Sequence, residues 1–112
     1  MTHPADPDHG NAYFEIAREL ARLADAHRAA DSPQLGRAAA ELGLVYLEFG
    51  EYGPLGDHGI EAYEAAEAAR DSLAAGGAVT AMAHTAAARL HMGIDAIDRR
   101  RLDGHAPRFR PH

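Results

Sequence analysis

The sequence predicts an all-α protein, either a four-helix bundle or a set of antiparallel helical hairpins, and three observations predict this class. Of the 112 residues, 26 are alanine, the residue with the highest intrinsic helix propensity. In four segments the apolar residues recur at steps of three or four, which is the spacing of one helix face. Glycine, proline and serine separate these segments. We therefore expect a single small helical domain.

The first helix is predicted from Asn11 to about Ala30. Asn11 is a favoured N-cap residue, and the sequence Asp31-Ser32-Pro33 ends the helix. The apolar stripe of this helix consists of Tyr13, Ile16, Leu20, Leu23 and His27.

The second helix is predicted to begin at Ser32, with Pro33 at its first helical position. Its glycines, Gly36, Gly43 and Gly50, recur every seven residues. Glycine inside a helix costs about 1 kcal/mol, so this line indicates a face where another helix packs very closely. The apolar stripe consists of Leu35, Ala38, Leu42, Val45 and Phe49.

The third helix is predicted to start near Asp57 or His58, after a glycine-rich connection that begins at Gly53. Gly76-Gly77 ends it. Its predicted inner face consists of Ile60, Tyr63, Ala66, Ala69 and Leu73, while acidic residues line its outer face.

The fourth helix is predicted from Ala78 to about Arg101. The arginines in its last turn complement the helix dipole, and Asp103-Gly104 and Pro107 end regular structure. Its predicted inner face consists of Val79, Met82 or Ala83, Ala86, Leu90, Ile94 and Ile97.

The helices divide the chain into a flexible N-terminal arm (1–10), one helical domain (11–101) and a basic tail (102–112). Residues 1–98 carry a net charge of −10 and residues 99–112 a net charge of +4. An acidic body argues against binding of nucleic acid, which requires a basic face. The basic residues near the C-terminus are the candidates for contact with RNA, a lipid head group or an acidic partner; they are Arg99, Arg100, Arg101, Arg108 and Arg110. The alternative is that this tail is solvated and flexible.

The composition excludes several classes of protein. Without cysteine the chain has no disulfide, no thiolate nucleophile and no cysteine-ligated metal. No apolar run is long enough for a membrane span, and the polar N-terminus does not resemble a signal peptide, so we expect a cytoplasmic protein. Alanine builds a thin core, which favours a homo-oligomer that buries more surface.

One part of the chain, about residues 33–70, resembles a tetratricopeptide repeat. The resemblance rests on Leu42-Gly43-x-x-Tyr46 followed by Gly50-x-Tyr52, and on a second helix that reads Gly59-Ile60-Glu61-Ala62-Tyr63. Ala39 stands where the repeat has tryptophan, and the connection between the helices is about four residues longer. The resemblance implies a helical adaptor that binds a peptide or protein. A degenerate repeat pair that dimerises and a four-helix bundle both remain open.

The candidate partner site follows from the aromatic residues of the predicted groove between the second and third helices. Aromatic side chains are common anchors of protein interfaces, although the same residues also suit a core. Asp57 and His58 stand at the rim, where Asp57 caps the third helix or free backbone N–H groups bind an anion. The predicted partner-binding residues are Tyr46, Phe49, Tyr52, Asp57, His58 and Tyr63.

The histidines of the chain suggest an alternative function, the binding of a metal ion. His84, His91 and Asp95 share one face of the fourth helix and are candidate metal ligands, and His27 could face His84 across the core. A pair of His91 with Asp95 one turn apart, and a core position for His27, explain the same pattern without a metal.

The sequence contains no phosphate-binding loop, dinucleotide motif or nucleophile elbow. It therefore favours an interaction or accessory subunit over an enzyme, with no cofactor and with a protein partner. The alternative is a helical bundle that binds a metal or small ligand, or a small enzyme, using the histidine set.

Overall fold

The structure, a computed structural model, describes the backbone of residues 5–53 and 57–108 and the side chains of residues 12–53 and 57–97. Over these residues the chain forms four helices and no strand. They are α1 (Ala5–Ala29), α2 (Pro33–Tyr52), α3 (Gly59–Ala74) and α4 (Ala78–Arg108). The prediction of an all-α protein with four helices is confirmed.

The turns between helices fall at the predicted positions. After α1 the backbone turns at Asp31, whose φ of 64° is one that aspartate tolerates better than most residues. Gly53 ends α2 with a φ of 76°, and its N–H donates to the carbonyl of Phe49 at 2.7 Å. Gly76 follows α3 with a φ of 82°, a conformation that glycine adopts without strain.

The outer ends of α1 and α4 extend further than predicted. α1 begins at Ala5 rather than at Asn11, and α4 ends at Arg108 rather than near Arg101. A proline in the first turn, here Pro7, removes an N–H group that has no partner within the helix. A single glycine such as Gly104 weakens a helix by about 1 kcal/mol without ending it. Residues 1–4 and 109–112 lie outside the described residues, and the flexibility of the two termini stays a prediction.

Helices adjacent in the chain form two hairpins, α1 with α2 and α3 with α4. α2 also packs against α3 and α4 and is therefore the central helix, although its packing on α3 is the least extensive of these contacts. Apart from Thr85, the largest fully buried residues all lie on α2: Leu42, Val45, Tyr46 and Phe49. Alanine supplies most of the remaining core, as the composition predicted.

The predicted apolar faces of the first three helices agree with the structure to different degrees. Every residue of the α2 stripe is buried or half-buried, which confirms that prediction. In α1, Leu20 is buried but Leu23 is exposed. In α3 the end of the stripe is buried, whereas Ile60 is 72% exposed because Gly59 and Ala62 face the core at that level.

The predicted inner face of α4 is wrong for most of its residues, although Met82 packs against the core and Ile94 is half-buried. Val79, Leu90 and Ile97 are exposed, and the face that α4 turns inward consists mainly of small or polar residues. Periodicity identifies an apolar stripe on a helix, but it does not show whether that stripe faces the core of the same chain. Small side chains on the inner face let α4 pack close to its neighbours. The buried residues of this inner face are Ala81, Thr85, Ala88 and Asp95.

The three regularly spaced glycines of α2 all face α1, which confirms the predicted close approach. A Cβ atom at Gly36 would lie 3.1 Å from the carbonyl oxygen of Ala24. At Gly50 it would lie 2.5 Å from the ring of Phe14, and at Gly43 it would have ordinary contacts from 3.5 Å. Glycine is therefore needed at the two ends of this line more than at its middle.

We expect Gly36→Ala and Gly43→Ala to differ in stability although both replace a helical glycine. Alanine gains about 1 kcal/mol of helix propensity at either position. At Gly36 the added methyl group meets a backbone carbonyl, and such overpacking costs about 1–3 kcal/mol. Urea denaturation should therefore find Gly43→Ala more stable by about that amount. Equal free energies of unfolding would contradict the close approach at Gly36.

Candidate functional site

An aromatic cluster lies where α1, α2 and α3 meet. It contains Tyr13, Tyr46, Phe49 and Tyr63, with neighbouring ring centroids 5.4 to 6.5 Å apart. Phe49 lies at its centre and packs against the other three rings. Rings at such distances and tilted angles attract one another beyond simple burial of area. The cluster therefore ties the α1–α2 hairpin to the start of α3.

The hydroxyl of Tyr46 is held by charged groups on α3. It donates a hydrogen bond to Glu67 Oε2 at 2.5 Å, and Arg70 Nη1 lies 3.4 Å from the same carboxylate oxygen. The guanidinium of Arg70 also lies 5.7 Å from the centre of the Tyr46 ring, within cation–π range. The one polar atom of this buried side chain thus has a partner.

These surroundings shift the pKa values of the tyrosines. Burial raises the pKa of Tyr46 far above its ordinary value, and the hydrogen bond to the Glu67 carboxylate raises it further. Burial also raises the pKa of Tyr13, with smaller contributions from Tyr63 and Glu67. Burial lowers the pKa of Arg70, but the neighbouring Tyr46 and Glu67 outweigh this and raise it. The cluster consequently holds neutral phenols beside a charged pair.

We expect the folded state to lose stability as the pH rises above about 10. The unfolded chain then releases the Tyr46 proton that the folded protein keeps, since the folded pKa of Tyr46 is raised. This stabilisation is complete below the unfolded pKa and declines above it. Tyr46→Phe should reduce the loss measured by denaturation between about pH 8 and about pH 11.5.

The exposed Tyr52 provides the control for this measurement. Tyr52→Phe should keep the alkaline loss of stability that the native chain shows. If both variants lose stability to the same extent, Tyr46 does not carry the effect.

A second polar cluster joins the start of α3 to α4. The backbone N–H of His58 donates to both carboxylate oxygens of Asp95 at 3.1 Å. The rings of His58 and His91 stack with centroids 5.1 Å apart, and their Nδ1 atoms are 3.0 Å apart, so one nitrogen donates and the other accepts. Asp95 is buried, and its charge is compensated by the N-terminal end of α3.

Asp95 therefore caps the start of α3, the role that was predicted for Asp57. The N-cap residue of α3 is His58, which makes no capping hydrogen bond with its own side chain, and Asp57 is exposed. The sequence leaves open that an anion binds the free backbone N–H groups at the start of α3. In the structure the Asp95 carboxylate already occupies the His58 N–H group. No sequence signal indicated a cap from α4, because Asp57 beside His58 is itself a residue type favoured as N-cap.

A cavity of about 420 Å³ lies beside this cluster, between the end of α2, the start of α3 and α4. Tyr52 and Asp95 lie on its wall. Arg89 also lines it and pairs with Glu41 of α2 at 3.6 Å. Most of the other lining residues are small: Gly53, Gly59, Ala62, Gly93 and Ala96, with Glu48 and Met92 completing the wall.

The structure separates the residues of the predicted partner site. Tyr46 and Phe49 are almost completely buried and belong to the core. Tyr52 and Tyr63 are exposed at the surface of α2 and α3. His58 is half-buried against His91.

Of the predicted metal ligands, the structure brings His91 and Asp95 together, with His58 rather than His84 as their third neighbour. Within the described side chains, no group of three or more histidine, aspartate or glutamate residues is arranged to hold a metal ion. His27 lies half-buried on α1, which does not pack against α4 over the described residues.

The basic residues near the C-terminus lie beyond the described side chains. The backbone of Arg99, Arg100, Arg101 and Arg108 belongs to α4, and Arg110 lies outside the described residues altogether. Nucleic-acid contact through them stays a prediction. Among the described helices, none has the length and apolar character needed to cross a membrane.

Comparisons with models of protein families, with curated proteins and with solved structures found no match for this chain. Helical hairpins are the feature that the chain has in common with tetratricopeptide repeats, but they are formed by α1 with α2 and by α3 with α4, and not by the two helices of residues 33–70 that carry the resemblance. The function is accordingly inferred from the residues and geometry described above.

Proposed function

We propose that the protein is a small helical interaction subunit that self-associates and binds a protein partner. The observation that carries the proposal is the apolar surface on two of its helices. Leu44 and Leu47 on α2, and Val79, Leu90 and Ile97 on α4, are all large and exposed. Scattered apolar side chains are normal on protein surfaces, but several on one helix face mark an interaction site.

A partner site at the end of α2 is supported by a different set of residues. Tyr52 is 65% exposed and lies on the wall of the 420 Å³ cavity. Asp57 and His58 directly precede Gly59, which lies on the same wall, and Tyr63 is an exposed aromatic residue one turn further along α3. The adaptor role implied by the tetratricopeptide resemblance belongs to the segment of α2 and α3 that carries this resemblance. Tyr46 and Phe49 support the site from the core.

Native mass spectrometry of the untagged protein, combined with sedimentation velocity, tests the proposal. We expect a dimer or larger species whose population rises with concentration. If the protein stays monomeric up to about 200 μM, its dissociation constant is weaker than that of most specific complexes, and this result would overturn self-association. A stoichiometric mass of bound metal or small ligand would instead support the alternative function of the histidines His27, His84 and His91 with Asp95.

A further inference from the structure

The outward side of α4 carries an uninterrupted apolar stripe. Six residues, spaced four, three, four, three and four apart, lie along it, and all are exposed. This is the spacing of a coiled-coil seam. At 1.5 Å per residue the stripe is about 27 Å long. We call it the outer stripe; it consists of Val79, Ala83, Ala86, Leu90, Gly93 and Ile97.

The outer stripe contains no polar residue, whereas the face that α4 turns inward combines apolar residues such as Met82 and Met92 with polar ones. The buried polar residues of the inner face are Thr85 and Asp95. Val79 is 78% exposed and Leu90 is 63% exposed. An amphipathic helix normally buries its apolar side, because exposure of valine, leucine and isoleucine to water is unfavourable. In the part of the chain that the structure describes, no other helix covers this stripe.

We propose that a second copy of this chain covers the outer stripe, with the two α4 helices antiparallel about a two-fold axis at the level of Ala88. The inference rests on the proposed self-association and names the face and the partner. The spacing of the stripe is the same when read in either direction, so two antiparallel copies align every one of its positions. Ala86 then lies opposite Leu90 of the second copy, Ala83 opposite Gly93 and Val79 opposite Ile97.

The sizes of the paired side chains favour this direction. In the antiparallel arrangement the large Leu90 lies over the small Ala86 on both sides of the axis. Ala83 with Gly93 lets the helices approach to about 8 Å, the lower end of helix packing distances. In a parallel arrangement each residue would face its own copy, and the pair of leucines would be followed directly by a pair of glycines. The combined size of the paired side chains would then change most between neighbouring pairs along the interface, which leaves gaps between the two helices.

The charges along the outer side of α4 are compatible with a second copy. Between Val79 and Ile97, Arg89 is the one exposed charged side chain. It borders the stripe next to Leu90, so the two copies of Arg89 would approach near the axis. Glu41 lies 3.6 Å from Arg89 and supplies a carboxylate that offsets their repulsion. No acidic side chain faces the stripe from α4 itself.

The expected interface is small. A face about 27 Å long and about 10 Å wide has an area of about 270 Å² per copy, well below the roughly 800 Å² per partner of a standard specific interface. We therefore expect reversible association with a dissociation constant in the micromolar range, which sedimentation velocity resolves at about 1 to 200 μM protein.

Engineered cysteines test the direction of pairing, because the chain has no cysteine of its own. Ala83 is exposed, and an added Cβ at Gly93 would meet no atom within 4 Å, so both positions accept the change. Ala83→Cys and Gly93→Cys proteins, one isotopically labelled, are mixed and mildly oxidised. Random pairing of an equimolar mixture gives the mixed disulfide dimer at about twice the amount of either identical pair, so antiparallel helices should give the mixed dimer in a clear excess over this ratio by intact mass. The random ratio, or an excess of the identical pairs as expected for parallel helices, overturns the antiparallel inference.

A charge substitution tests the face itself. Leu90→Arg should raise the dissociation constant at least tenfold, with no change in thermal midpoint of the monomer, because Leu90 is mostly exposed. Ile60→Arg, a matched change at an exposed residue of α3, should leave the dissociation constant unchanged. If the protein dimerises but Leu90→Arg has no effect, the second copy binds elsewhere and the inference fails while self-association stands. If the native chain is monomeric throughout, self-association fails first.

Discussion

Tyr46→Ala should lower the free energy of unfolding by about 3–5 kcal/mol, the largest effect expected from a single substitution in this chain. Tyr46 is almost completely buried and contacts two other rings of the aromatic cluster. Its removal leaves a cavity in a core built mostly of alanine, which has few large side chains to fill the space. Chemical denaturation of the variant measures the loss.

Tyr46→Phe separates packing from hydrogen bonding. It keeps the ring and removes only the hydroxyl that donates to Glu67, so we expect a loss of about 0.5–1.5 kcal/mol. Glu67 retains Arg70 as its partner. If Tyr46→Ala cost no more than Tyr46→Phe, the ring would contribute little to the core, and Tyr46 would again be a candidate for the partner surface.

Asp95→Ala should destabilise the protein by about 1–3 kcal/mol, the second largest effect. The substitution leaves the His58 N–H at the start of α3 without its acceptor and removes the favourable charge at this helix end. Denaturation measures the loss, and faster amide hydrogen exchange in the first turn of α3 should locate it.

Two matched variants control this experiment. Asp95→Asn keeps one side-chain oxygen as an acceptor and should lose less stability than Asp95→Ala. Asp71→Ala removes an exposed carboxylate from α3 and should change stability by less than about 0.5 kcal/mol. A loss in Asp71→Ala as large as in Asp95→Ala would mean that general charge, and not the cap, explains the effect.

The sequence predicted α2 well because two independent patterns agree on this helix. Its apolar stripe from Leu35 to Phe49 faces the core, and its glycines face α1. A helix with a neighbour on most sides leaves little freedom in the assignment of its faces. The turns at Gly53 and Gly76 were predictable for a related reason, since both have a positive φ that glycine adopts readily.

The faces of α4 were not predictable from its own sequence. Its strongest apolar stripe points outward, so the rule that the apolar side faces the core selected Leu90 and Ile97 in place of Ala81 and Ala88. The polar cluster that joins the start of α3 to α4 was also not predictable from the sequence. His58 and Asp95 are 37 residues apart, and their contact depends on how α3 packs on α4. The spacing of His91 and Asp95 indicated a local pair but not a cap for another helix.

The arrangement of the helices in two hairpins has a consequence for how the chain folds. The most extensive packing joins helices that follow one another, α1 with α2 and α3 with α4. Proteins of low contact order close only short loops before they gain contacts, and helical proteins of this kind fold within microseconds to milliseconds. Each hairpin can thus nucleate within its own half of the chain, and α2 unites the halves when its aromatic residues meet those of α1 and α3.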